Sequence, residues 1–243
     1  MKLKTTLALV STVGLLALSV VGISRGGVMS PHFLSMVTRT GSEAVPKNRI
    51  TKDLESVDVI HHGRIVQITR SGERGATMPR GYNNVSRHCP PFCIQPIQVL
   101  PGVETIGELE VLGYLKRMSG GDDTVLVVDS RDPGWVARGT IPGAVHVPWT
   151  SIDTDVSGPF ADSAETERLR HILVGLFGAI KTNQGWDFSK ARTLVLFCNG
   201  IWCGQSSANI RTLAGLGYPV EKMKWYRGGM QNWVSVGLTT VGP

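Results

Sequence analysis

The sequence predicts an α/β protein, a parallel sheet flanked by helices, with an N-terminal β/irregular extension in front of it. Three observations carry this expectation. "TVLVVDS" (124–130) and "RTLVLFC" (192–198) are near-continuous apolar runs of strand length, as in strands buried on both faces. The runs alternate with segments of helical periodicity, the order expected of parallel strands joined through helices. The second run stops at Cys198, and a glycine-bearing loop leads from it into a helix. In open parallel sheets, sites lie at that kind of junction.

The elements follow in order. Lys2 and Lys4 precede an uncharged stretch from Thr5 to Ile23, and Arg25 closes it. That is the pattern of an export signal. The stretch of residues 5–23 is also just long enough to span a bilayer. Residues 1–24 therefore read as a signal peptide or a membrane anchor. Both readings place the rest of the chain in the periplasm or another extracytoplasmic space. Residues 25–48 lack sustained periodicity and read as a linker. Residues 49–103 form the extension. It opens with short β-branched runs around His62-Gly63, a hairpin pattern, and continues through a Pro- and Gly-rich stretch (76–102) expected to lie extended on another surface.

A domain is expected over residues 104–243. "ETIGELEVLGYLKRM" places Ile106, Leu109, Leu112 and Leu115 on one helical face. The first sheet strand follows, and "TIPGAVHVPW" supplies a second short apolar run. "SAETERLRHILVGLFGAIK" (163–181) reads as one helix with a stripe of Leu169, Ile172, Leu173, Leu176 and Ile180. After the strand ending at Cys198 come a helix ("SSANIRTLAGLG"), a strand and turn ("KMKWYRGG") and a short helix ("MQNWVSVGL"). Trp135, Trp149, Trp186, Trp225 and Trp233 read as packing residues, and no cofactor is implied.

Composition narrows the function. An apolar fraction of 42% with 18% charged residues belongs to a globular chain. The net charge of +6 is scattered, with Arg64, Arg70, Arg74, Arg80 and Arg87 spaced out. This reads as a solvated basic surface, not a nucleic-acid footprint. The 4 cysteines form two close pairs, Cys89/Cys93 and Cys198/Cys203. In an exported chain an even number points to disulfides, although for Cys89 and Cys93 two buried thiols are the alternative. Neither pair has the two-residue spacing that zinc knuckles favour, so no metal is expected.

Cys198 carries the chemistry. A thiol between a buried strand and a helix N-terminus meets free N–H groups and a partial positive charge, which favour the nucleophilic thiolate. Gly200 and Gly204 let the backbone curl into an anion-binding nest suited to a thiosulfate-like oxyanion. The alternative is a structural buried cysteine; the glycines and the loop-to-helix junction favour the reactive one.

Several segments resemble the rhodanese-like sulfurtransferases, in that family's order. "VLVVDSRDPGWVARGTIPGAVHVP" resembles its strand and Asp-x-Arg segment with the following turn. "LVLFCNGIWCGQSSANIRTLAGLGY" is similar to its active-site strand, cysteine loop and helix, and "KWYRGGMQNW" to its closing Gly-Gly and Trp signature. The likeness covers roughly Glu104 to Val241. It implies a rhodanese-like fold and a Cys198 persulfide, formed from a sulfane donor and discharged to a thiol acceptor in ping-pong fashion. Asn199, Gly200, Ile201, Trp202 and Gly204 would cradle the substrate, a small sulfur-containing anion, with Asp129 and Arg131 supporting the loop.

Two departures stand out. The loop "CNGIWCGQS" lacks the basic residue usual in the family, and Thr140 replaces the customary His of the turn. Cys203 resembles the second loop cysteine of an exported subgroup. It could resolve a Cys198 persulfide as a disulfide, or serve as a small hydrophobe. The readings left open are a sulfurtransferase, a thiol-disulfide redox protein using Cys198 and Cys203, and a non-catalytic binding module.

Overall fold

The computed structural model describes residues 47–152 and 163–242. The expected signal or anchor (1–24) and nearly all of the expected linker lie outside the described residues. Strand β1 (Lys47–Asn48) is the exception within the linker range, pairing antiparallel with β4 (Arg70–Ser71). Between them β2 (Val57–His61) and β3 (Arg64–Ile68) form the expected antiparallel hairpin. His62 and Gly63 make its turn, both at positive φ. Among the described residues no helix is long and apolar enough to cross a membrane.

The central sheet consists of β5 (Glu104–Thr105), β6 (Val125–Asp129), β7 (Val145–His146), β10 (Thr193–Phe197) and β11 (Met223–Tyr226). Their order is β5-β11-β10-β6-β7, and every pairing is parallel. The apolar runs explain the double burial. Leu126, Val128, Leu194 and Leu196 join one core, and Val127, Val195 and Phe197 join the other. The fold is thus the predicted α/β arrangement.

Helix α1 (Glu108–Ser119) starts where the Glu110 carboxylate accepts from the Gly107 N–H at 3.0 Å. It buries Val111, Leu112 and Leu115. Leu109, assigned to the buried stripe by its spacing, is 52% exposed. The short α2 (Pro133–Val136) follows β6. The helix expected over 163–181 is shorter than its periodicity suggests. Helix α3 (Ser163–His171) passes into a π-turn (Ile172–Leu176), and the chain then forms a hairpin of β8 (Ile180–Thr182) and β9 (Gly185–Asp187). Ile180 is therefore a strand residue, 41% exposed. Gly178 ends the helix at φ +76°, where a Cβ would lie 2.7 Å from the Lys190 carbonyl. Leu173 and Phe177 are fully buried, so this segment covers the sheet.

Helix α4 (Gln205–Gly215) follows β10 through the cysteine loop, and α5 (Gly229–Ser235) closes the chain. The extension is built into the core: Val57, Val59, Ile68 and Tyr82 pack with α1 and α5 residues on one face, and Val99 and Val103 join the other.

Candidate active site

Cys198 is the residue after β10, and its loop is clamped from α5. The Met230 N–H donates to the Cys198 carbonyl at 3.0 Å, and the Gln231 N–H to that of Asn199 at 2.9 Å. The approach is so close that a Cβ on Gly229 (φ +54°) would lie 2.3 Å from the Cys198 carbonyl oxygen. This accounts for the second glycine of the pair in "KWYRGGMQNW". Here the chain has neither room nor dihedral freedom for a side chain.

The Cys198 sulfur sits where the loop meets α4. Burial alone raises its pKa. Hydrogen bonds from the Cys203 thiol, the Ser206 hydroxyl and the N–H groups of Ser206 and Gly200 outweigh that and lower it to about 7. The Ser206 hydroxyl lies 3.1 Å from the sulfur and is itself held by the Trp225 indole N–H at 3.0 Å. One contact opposes ionisation: the Cys203 carbonyl, 3.2 Å away, accepts only from the protonated thiol. The donors outnumber it, and the direction is downward. Cys203 shifts the other way, its pKa raised by burial and by charge on Cys198. Both cysteines are free thiols, whereas Cys89 and Cys93 form a disulfide.

Asp129 and Arg131 form a buried ion pair of 2.6 Å. Thr140, in the place of the family's usual His, also donates to Asp129 at 2.7 Å. Burial by itself would lower the Arg131 pKa, and the hydrogen bonds to Asp129 reverse that. From Arg131 a chain of contacts runs to the loop. Arg131 donates to the Tyr82 hydroxyl at 2.8 Å, Tyr82 to the Asn199 side chain at 3.3 Å, and the Asn199 amide reaches the Cys203 sulfur at 3.8 Å. Tyr82 comes from the extension, and no local sequence pattern marks it.

The extension also walls a cleft of about 450 Å³ lined by Pro91, Phe92, Asp132, Trp135, Trp149, Asn199, Trp202, Cys203, Gly204, Gln205 and Ala208. The Gln95 N–H donates to the Ile201 carbonyl at 2.8 Å, and the Phe92 ring meets Trp202 edge-on with centroids 5.5 Å apart. The disulfide-closed segment therefore rests on the cysteine loop. Of the residues the sequence assigned to substrate, Asn199, Trp202 and Gly204 line the cleft; Gly200 and Ile201 do not. Cys203 lines it too, while Cys198 is the more deeply buried thiol. Tyr82, Phe92, Gln95 and Ser206 complete the surroundings and carry no sequence signal; Arg87, expected on a solvated basic surface, is instead half-buried with its guanidinium 3.6 Å over the Trp202 ring. Only the Pro-rich, extended character of 76–102 hinted that this segment lies on something. Among the described residues no cluster of His, Cys, Asp or Glu could hold a metal ion.

The rhodanese-like domain family matches residues 111–236. The chain belongs to that family. No curated protein matches it significantly. Similar solved structures include a Bacillus halodurans protein, 19% identical over 57% of this chain and 77% of that one, with a TM-score of 0.36. Another is a human single-domain sulfurtransferase, TSTD1, 20% identical over 55% and 96%, with a TM-score of 0.34. A third is the rhodanese-like domain of an Anabaena protein, 19% identical over 59% and 81%, with a TM-score of 0.34.

Proposed function

We propose that the protein is an exported sulfurtransferase that carries sulfane sulfur as a Cys198 persulfide. The observation that carries this reading is the Cys198 sulfur itself, its pKa lowered to about 7 by donors from Cys203, Ser206 and Gly200. A thiolate at neutral pH attacks the sulfane sulfur of a thiosulfate- or polysulfide-type donor. A new S–S bond forms at Cys198, the donor's S–S bond breaks, and the leaving group departs with the electron pair. An acceptor thiolate then takes the outer sulfur and returns Cys198 as thiolate. The donors around the sulfur stabilise negative charge on the persulfide as they do on the thiolate. The Cys89–Cys93 disulfide supports export, since such bonds persist in oxidising compartments. Residues 5–23 would direct export and either be removed or remain as a membrane anchor.

A second free thiol five residues on, Cys203, favours a second reading, a thiol-disulfide redox protein using Cys198 and Cys203. In that reading no sulfane donor is needed: the Cys198 thiolate attacks a partner disulfide and expels one partner thiolate, and Cys203 then attacks the Cys198 sulfur of the mixed disulfide, forming a Cys198–Cys203 disulfide and expelling the second partner thiolate. An external thiol reductant then resets the pair. Intact mass after thiosulfate or polysulfide separates the readings. The expected result is the gain of one sulfur atom, abolished in Cys198→Ser and reversed by cyanide. Loss of two hydrogens with a linked Cys198–Cys203 peptide would replace it with the redox reading. A mass unchanged by every donor would leave a binding module.

A further inference from the structure

Two charged anchors determine the hydrogen bonds around Cys203. On one side, the Arg131 guanidinium donates to the Tyr82 hydroxyl at 2.8 Å, so the hydroxyl donates onward to the Asn199 side-chain oxygen at 3.3 Å. That turns the Asn199 amide nitrogen toward the Cys203 sulfur, 3.8 Å away. On the other side, Asp132 accepts from the Trp149 indole N–H at 2.9 Å through one carboxylate oxygen and from the Gln205 amide nitrogen through the other. A carboxylate only accepts. The Gln205 nitrogen is thus committed to Asp132, and its oxygen is left facing the Cys203 sulfur at 3.6 Å.

The sulfur therefore accepts from Asn199 and donates to Gln205, which only the neutral thiol does. A thiolate would meet a carbonyl oxygen with the Asp132 charge behind it. Cys203 is 5% exposed, and burial together with charge on Cys198 holds its pKa well above the ordinary thiol value. The ionisable groups around it are Cys198, Asp132 beyond Gln205, and Arg87, whose charge a Cys203 thiolate would favour.

Cys203 is also next to the reacting sulfur. Its backbone carbonyl lies 3.2 Å from the Cys198 sulfur, and both cysteines pack with Trp202 in one buried cluster. A Cys203 thiolate attacking a Cys198 persulfide would form the Cys203–Cys198 bond. The bond from Cys198 to the outer sulfur would break, and hydrosulfide would leave with the electron pair. The thiolate is the attacking form, so the protonation of Cys203 decides whether the sulfur is handed on or lost.

We propose that Asp132 and Gln205 are positioning residues that hold Cys203 as the neutral thiol and so protect the Cys198 persulfide for transfer to an external acceptor. Gln205 supplies the carbonyl, and Asp132 fixes which end of the amide faces the sulfur. The protective role rests on the persulfide reading; the hold on the Cys203 proton does not.

Two variants of the full-length protein test it. In Asp132→Asn the Trp149 N–H still takes the side-chain oxygen, so the new amide nitrogen points at Gln205. Gln205 then turns its oxygen to that nitrogen and presents its own N–H groups to Cys203. Gln205→Met keeps the Asp132 charge and removes the carbonyl. The first measurement needs no sulfur donor: the pH midpoint of iodoacetamide alkylation at Cys203, in a Cys198→Ser background where Cys203 is the remaining free thiol. Asp132→Asn is expected to lower the midpoint by about one pH unit, the scale of a hydrogen bond to a charged group, and Gln205→Met by about half a unit. Midpoints unmoved in both variants, with wild-type thermal melting, overturn the proposal. So does a fall in Asp132→Asn alone, which would report only the lost charge. If Asp132→Asn does not fold, Gln205→Met decides by itself. The second measurement follows the persulfide by intact mass at pH 7, after loading with thiosulfate or polysulfide and removing the excess. Wild-type protein is expected to keep the added sulfur until a thiol acceptor is supplied. Asp132→Asn is expected to lose it about threefold faster, with a linked Cys198–Cys203 peptide, because a lower pKa raises the thiolate fraction more than it lowers nucleophilicity. Equal lifetimes overturn the protective role. If no donor adds sulfur to wild-type Cys198, the persulfide reading fails and the protective role with it, while the alkylation midpoints still decide whether Gln205 holds the Cys203 proton.

Discussion

Two residues fix the reactive centre. Cys198 is lowered to about 7 from an ordinary value near 9 because Ser206, Cys203 and Gly200 donate to its sulfur. A thiol reacts as its thiolate, so its rate rises with pH and levels off above the pKa. Iodoacetamide alkylation of Cys198 is therefore expected to be half-maximal near pH 7. A midpoint near 9 would show that the cradle does not stabilise the anion. Ser206→Ala removes the donor 3.1 Å away. At pH 6 it should slow alkylation roughly tenfold, the scale of one hydrogen bond to a charged group. Gly229 works sterically. Any Cβ there meets the Cys198 carbonyl at 2.3 Å, at a φ of +54°. Gly229→Ala is expected to cost about 3 kcal/mol, the upper range for forced overpacking, read by chemical denaturation. A loss under about 0.5 kcal/mol, ordinary for a surface site, would mean the loop and α5 can part at no cost.

At the scale of elements, what was legible followed from periodicity. β6 and β10 stood out because both of their faces are buried, leaving unbroken apolar runs. Cys198 stood out because such a run ends on it. The helix expected over 163–181 overruns the observed one because its spacing continues through Leu176, whereas Gly178 and the following hairpin depend on packing against Lys190. Tyr82 was illegible for another reason. Its partner Asn199 lies 117 positions away, and a single tyrosine in a Pro-rich stretch has no period to betray it. It nevertheless joins the Asp129–Arg131 pair to the loop. Tyr82→Phe leaves Arg131 and Asn199 each short of a buried partner, an expected cost of about 2 kcal/mol. The same variant should alter Cys203 alkylation, because the Asn199 amide facing that sulfur loses its anchor. A stability loss with unchanged Cys203 reactivity would confine Tyr82 to a structural role.

For the whole molecule, the matched family segment and the folding unit are not the same length of chain. Residues 111–236 match the family, but Ala44–Pro243 form one compact unit. Val57, Val59, Ile68 and Tyr82 are each at most 5% exposed within the core that α1 and α5 share. At roughly 2 kcal/mol per buried side chain these residues contribute about 8 kcal/mol, within the 5–15 kcal/mol that stabilises a typical domain. A fragment beginning at Glu104 would also expose Leu112, Leu115, Val127 and Trp233, and would lose Phe92 and Gln95 from beside the cysteine loop. It is therefore expected to lack a cooperative thermal transition and to aggregate, whereas a chain beginning at Ala44 should melt as one unit. Joining residues 44–103 to the shorter fragment in trans should restore both the transition and the neutral-pH reactivity of Cys198. A cooperative melt and unchanged Cys198 alkylation in the shorter fragment alone would show that the extension is an attachment, not part of the core.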